Sequence, residues 1–192
     1  MQSSRKQDAE QEASSRLLCE GAKSYVEANA ALEAYRHEVQ KLFHDLIKDR
    51  IDELSKALGL EIELSKLKGY HEEWEGTYAW VGLTTEFYPE FAPNGIWVSF
   101  GLNWDINGSP PFGVFVGIGF GRISPADQLW GKLSVAFRNP QQLGLERYGK
   151  EIFTLVPLSD SEGATFSPKL EQSLDGWIHA LRKIGGVKAA LV

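Results

Sequence analysis

The spacing of hydrophobic positions changes twice along the chain, separating a helical first third, a β-rich centre and a helical end. From Ser24 onward, Tyr25, Leu32, Val39 and Leu46 recur every seven residues, with Ala28, Tyr35 and Leu42 three positions after the first three. Past Leu46 the stripe drifts to Ile47, Ile51, Leu54 and Leu58, as a helix without supercoiling requires. The pattern predicts one long helix over 24–59, opened by a capping box of Ser24 and Glu27 and stopped by Gly59. Such a helix is about 50 Å long, well beyond the roughly 20 Å of an average helix. It is expected either to be a core helix with a fraying first half or to offer a homodimer seam along 24–58. Residues 1–23 are polar and read as a flexible or weakly helical segment.

In the centre the period shortens to two, the mark of strands. Strands are predicted at 77–87, 96–104, 112–121 and 132–138, with a fifth candidate at 151–158 and an edge strand at 60–65 as an option. The links 88–95 and 105–111 are rich in Pro, Gly and Asn, which favours antiparallel hairpins. Ser124 and Pro125 suit a single capped helical turn, 141–148 a loop or short helix, and Pro157 the edge of a sheet. Ser167 and Pro168 open a last helix whose Leu170, Leu174, Trp177, Ile178, Leu181 and Ile184 share one face. Gly185 and Gly186 end it, and the apolar tail 187–192 is free to add a packing contact. The fold class is therefore α+β. A long N-terminal helix precedes a four- to five-stranded, mainly antiparallel meander, and a C-terminal amphipathic helix packs on the sheet. The organisation is 1–23, 24–59 and 60–192, one globular domain overall.

Alternation assigns the strands two unlike faces. Val81, Leu83, Val98, Phe100, Leu102, Val114, Val116, Ile118, Leu133, Val135 and Phe137 form an apolar face suited to the core. The other face combines Tyr78, Trp80, Gly82, Thr84, Trp97, Ser99, Gly101, Asn103, Phe115, Gly117, Gly119, Ser134, Ala136 and Arg138. A solvated face would carry Lys, Glu and Thr. Glycine weakens a strand, so several on one face call for something that approaches closely. The N-terminal helix, a protein partner, or a small ligand or nucleotide would each fit. Tyr78, Trp80, Trp97, Asn103, Phe115, Gly117, Gly119 and Arg138 are the binding candidates.

Composition narrows the partners. A net charge of −6 argues against broad, sequence-independent nucleic-acid binding. The single cysteine, Cys19, permits no internal disulfide and no cysteine-based zinc site. With neither a signal-peptide pattern nor a long apolar span, a cytoplasmic, non-membrane protein is expected.

Candidate chemistry is sparse. His37 and His44 share a helix face without a third ligand, and His71, Glu72, Glu73 and Glu75 form an acidic cluster at the sheet entrance. Glu61, Glu63 and Lys66 have only a loose nuclease-like spacing, and the glycines of 117–121 lack the Lys and Ser/Thr of a phosphate loop. No serine sits in a nucleophile elbow, Cys19 lacks a basic neighbourhood, and the acceptor pattern at Asn107 is followed by Pro110. No catalytic residue, metal ligand or cofactor is nominated. The expected function is non-enzymatic: a protein-binding or regulatory role through the long helix, the aromatic-glycine face or both. The alternatives are a metal-dependent hydrolase or nuclease using Glu72, Glu73, Glu75 or Asp105, and a small-ligand module over Trp80, Trp97 and Phe115.

Overall fold

The first helix begins well before Ser24 because nothing upstream stops it. A computed structural model describes residues 2–74, 78–87, 95–105, 112–137, 144–158 and 166–190, and in it α1 runs Gln2–Lys48. The capping box does not form. Ser24 Oγ instead donates to the Glu20 carbonyl at 3.0 Å, and Glu27 pairs with Lys23. Helix interior has already bonded the backbone donors that a cap would serve. The continuous helix to 59 is broken once: the chain turns at Asp49 and Arg50 and resumes as α2, Ile51–Leu58. Gly59 then stops it as expected, in the left-handed conformation at φ 70°, with its N–H bonded to the Ser55 carbonyl.

The chain divides into two units, Met1–Glu38 and Val39–Val192. The described part of the first is α1, with Leu17, Leu18, Tyr25 and Val26 exposed. All else belongs to the second. There Val39, Phe43 and Ile47 from the end of α1 join Ile51, Leu54 and Leu58 of α2 in one core.

Among the described residues the sheet has six strands, all antiparallel, in the order β1-β2-β3-β4-β6-β5. They are β1 Lys68–Trp74, β2 Tyr78–Phe87, β3 Ile96–Asp105, β4 Phe112–Phe120, β5 Leu145–Tyr148 and β6 Glu151–Leu158. The expected strands survive as β2, β3, β4 and β6, and β1 adds an edge strand where none was expected. Three expectations fail locally. The segment 60–65 forms no strand: Ile62 is buried, its N–H bonded to Ser55 Oγ, and a 3-10 turn spans Leu64–Lys66. The loop expected at 141–148 contains β5, which hairpins onto β6 through Gly149 at φ 55°. Pro157 does not mark an outer strand, but β5 reaches only as far as Thr154, so among the described residues Pro157 lacks a paired neighbour on that side.

The largest correction is at 132–138. Instead of a fourth strand, α3 runs Ile123–Ala136. Leu133, Val135 and Phe137 alternate, but Ala126, Leu129, Leu133 and Ala136 recur at helical spacing, and these four are buried. Val135, assigned by alternation to the core, is 76% exposed. Ser134 and Ala136 therefore leave the aromatic-glycine face, and Arg138 lies outside the described residues.

The C-terminal helix α4, Phe166–Ile184, buries Leu170, Leu174, Trp177, Ile178 and Leu181 as expected. Each is worth about 1.5–3 kcal/mol of transfer free energy. Beneath it is a polar contact that fixes its position: Trp177 Nε1 donates to Thr154 Oγ1 at 2.9 Å, and Ser173 Oγ lies 2.6 Å from the same oxygen. The tail becomes α5, Gly186–Ala190, which inserts Val187 fully into the core. Salt links join α2 and its leading turn to α4, Arg50 to Asp175 at 2.5 Å and Glu53 to Arg182 at 2.9 Å.

Candidate functional site

Register determines which side chains share a face. Trp80 pairs with Asn103, Gly82 with Gly101, Thr84 with Ser99 and Glu86 with Trp97 across β2 and β3. The rows continue through Gly113, Phe115, Gly117 and Gly119 of β4 to Pro157, Leu155, Phe153 and Glu151 of β6. On the other end, Tyr70 of β1 faces Gly82. Among the described residues, Val39, Phe43 and Ile47 of α1, with α2 and α4, share a core with the opposite face, formed by Val81, Leu83, Val98, Phe100, Val116 and Ile118.

Gly117 and Gly119 are covered by the sheet's own aromatic side chains. A Cβ on Gly119 would lie 2.0 Å from the Trp97 indole, and one on Gly117 would meet Phe115 and Phe153 at 2.9 and 3.0 Å. The missing side chains are seats for rings, the pairing known to rescue glycine in sheets. Four rings form a row: Tyr70 to Trp80 at 4.8 Å between centroids, Trp80 to Phe115 at 5.7 Å, Phe115 to Phe153 at 5.3 Å. Trp80 belongs to β2 and Phe115 to β4, so their contact spans β3, where Gly101 keeps the way clear. Offset aromatic pairs of this kind are worth about 0.5–1.5 kcal/mol beyond their area.

Beside this row the face hollows into a cleft of about 310 Å³, lined by Tyr70, Trp80, Thr84, Glu86, Trp97, Ser99 and Glu151. Trp97, seated on Gly119, donates its indole N–H to Glu151 Oε1 at 3.3 Å. Ser99 Oγ donates to Thr84 Oγ1 at 3.1 Å, and Thr84 Oγ1 donates to the Val98 carbonyl at 3.3 Å. Both hydroxyl protons are thus spent inside the sheet.

Of the binding candidates, Trp80 and Trp97 line this cleft, while Phe115, Gly117 and Gly119 support its walls. Asn103 lies on the same face beside Trp80, 5% exposed, its Oδ1 buried without a hydrogen-bond partner among the described residues. Tyr78 is placed by its backbone on the same face, opposite Asp105. Tyr70, Glu86, Glu151 and Phe153 were missed. Extending the alternation into 151–158 exposes Glu151 and Phe153, whereas Tyr70 had no strand to belong to.

The carboxylate alternative rests on residues of which the structure describes at most backbone positions. Glu72 and Glu73 hold successive positions of β1 opposite Trp80 and Ala79, so alternation assigns them to different faces. Their side chains and that of Asp105, like Glu75 itself, lie outside the described residues. Among the described residues no group of three or more His, Cys, Asp or Glu comes together to hold a metal. Lys66 pairs with Glu63 at 2.5 Å, and that hydrogen bond raises the lysine pKa. Cys19 is exposed, and among the described residues no helix is long and apolar enough to cross a membrane. Compared with protein-family models, curated proteins and solved structures, the chain matches none.

Proposed function

We propose that this protein is a non-enzymatic binding or regulatory protein that takes a protruding group of a protein partner into the cleft on its aromatic-glycine face. The observation that carries the reading is that cleft, with aromatic walls on the sheet face opposite the core. Sites of this kind are concave and largely apolar, with a few placed polar groups. Tryptophan is also among the residues that concentrate binding energy at interfaces. The small-ligand alternative would use the same cleft, and the same test serves both. A fluorescence panel of cationic, anionic and neutral small molecules and short peptides should contain at least one saturable ligand. Its binding should weaken about tenfold or more in Trp97→Ala, the loss of one well-packed aromatic contact. A flat panel, or ligands indifferent to Trp97, would count against the cleft as the binding site.

A second reading, self-association, is favoured by the apolar stripe of the first unit. Leu18 and Tyr25 are seven residues apart and are 72% and 74% exposed. A seam over the whole of 24–58 conflicts with the second unit, where Val39, Ile51, Leu54 and Leu58 are consumed by the core. The seam we propose therefore lies at 17–35, where heptad-spaced apolar residues would pair two copies. Light scattering should give a dimer mass that falls to the monomer in Leu18→Glu/Tyr25→Glu. A monomer at every concentration would rule it out.

A further inference from the structure

We propose that the cleft recognises an alkylated ammonium group, the positively charged head of a methylated lysine side chain or of a small quaternary amine such as choline. The proposal rests on the binding reading above and names the chemistry of the group bound. Tyr70, Trp80 and Trp97 bring three aromatic rings to one cavity of about 310 Å³. A ring face is attractive to cations, and aromatic enclosures suit quaternary ammonium ions.

The polar groups have the matching sign. Among the described residues, Glu86 and Glu151 are the charged members of the lining, which includes no Lys, Arg or His. The Trp97 N–H fixes one carboxylate oxygen of Glu151 beside the ring. Because the Ser99 and Thr84 protons are committed to Thr84 Oγ1 and the Val98 carbonyl, those hydroxyls present lone pairs. An anion would meet two carboxylates, with no proton offered by Ser99 or Thr84. A hard metal ion would look for a shell of six or more oxygens, where this cavity offers ring walls. Lys68, opposite Thr84 in the register, stands at the margin and is not part of the lining. The net charge of −6 adds a general attraction for cations.

The test uses the full chain and titration calorimetry with choline and its uncharged isostere 3,3-dimethylbutanol, and with one lysine peptide in trimethylated and unmodified forms. Choline or the trimethylated peptide should bind about tenfold or more tightly than its uncharged or unmethylated counterpart. Glu151→Gln, which keeps the size and the acceptor for Trp97, should cost about tenfold, and Trp97→Ala at least as much. Circular dichroism verifies that both variants fold. A trimethylated peptide that outcompetes choline assigns the group to a partner chain, and equal affinity assigns it to a free amine. Both outcomes uphold the proposal. Equal binding of the isostere, or cation binding indifferent to Trp97 and Glu151, would overturn it. If the panel yields only neutral or anionic ligands that depend on Trp97, this proposal fails and the binding function stands. If it yields none, both fail.

Discussion

Replacing Gly82 with alanine is expected to cost about 3 kcal/mol or more of folding free energy, the upper end of what overpacking imposes. The new Cβ would lie 2.0 Å from the Phe100 carbonyl oxygen and 2.5 Å from Gly101 Cα. Both are backbone atoms of the paired strand, so relief requires β2 and β3 to part at their centre. Gly101 has the reciprocal constraint, 2.4 Å from the Val81 carbonyl oxygen. Gly119→Ala differs in kind, because its neighbour is the indole of Trp97, a side chain that can swing away. Gly131→Ala should act in the opposite direction. It lies in α3, exposed, with nothing within 4 Å of the added methyl, and should gain up to about 1 kcal/mol from helix propensity. Urea denaturation of the three variants measures this ranking. A Gly82→Ala loss below about 1 kcal/mol would show that the strands accommodate a side chain there.

Thr154→Val is the second large effect. Its hydroxyl is fully buried, accepts the Trp177 indole N–H and also donates to the Val116 carbonyl at 3.3 Å. Valine keeps the volume and strands that N–H in the core, at about 1–3 kcal/mol. Ser173 can turn its hydroxyl to a carbonyl of its own helix. Trp177 cannot, since its ring is held edge-on to Phe137, with centroids 5.6 Å apart. Trp177→Phe removes the stranded donor. The double variant Thr154→Val/Trp177→Phe should therefore be less destabilised than the sum of the singles, by about 1 kcal/mol. Thermal denaturation of the cycle measures the coupling, and strict additivity would show the hydrogen bond to be energetically idle.

The chain's own pattern was enough for several elements. The apolar face of α4 recurs every three or four residues and needs no partner to be recognised. Strands β2, β3 and β4 alternate strictly between turn-rich links, and Gly59 stops a helix wherever that helix begins. Their spacing also separated the aromatic-glycine face from the core, which made Trp80, Trp97, Phe115, Gly117 and Gly119 legible as a group. The misreadings fell where two periods fit the same residues. Leu133, Val135 and Phe137 alternate like a strand while Leu129 and Leu133 repeat like a helix, and burial of the helical set against α4 and the sheet decided it.

What no local pattern contains is which strand lies beside which. The cleft joins Tyr70 of β1 to Glu151 of β6, residues far apart in the chain whose meeting depends on the strand order and on β6 entering between β4 and β5. The occupant of the glycines was settled in the same way. Sequence shows that side chains are missing at Gly117 and Gly119, but cross-strand register is what brings Trp97 to Gly119 and Phe153 to Gly117, beside Phe115 of the same strand. The sequence by itself determined the elements and the character of each face, because side-chain direction follows from backbone period alone. Only the tertiary structure decided which rings and carboxylates meet, because that depends on contacts between segments that share no local signal.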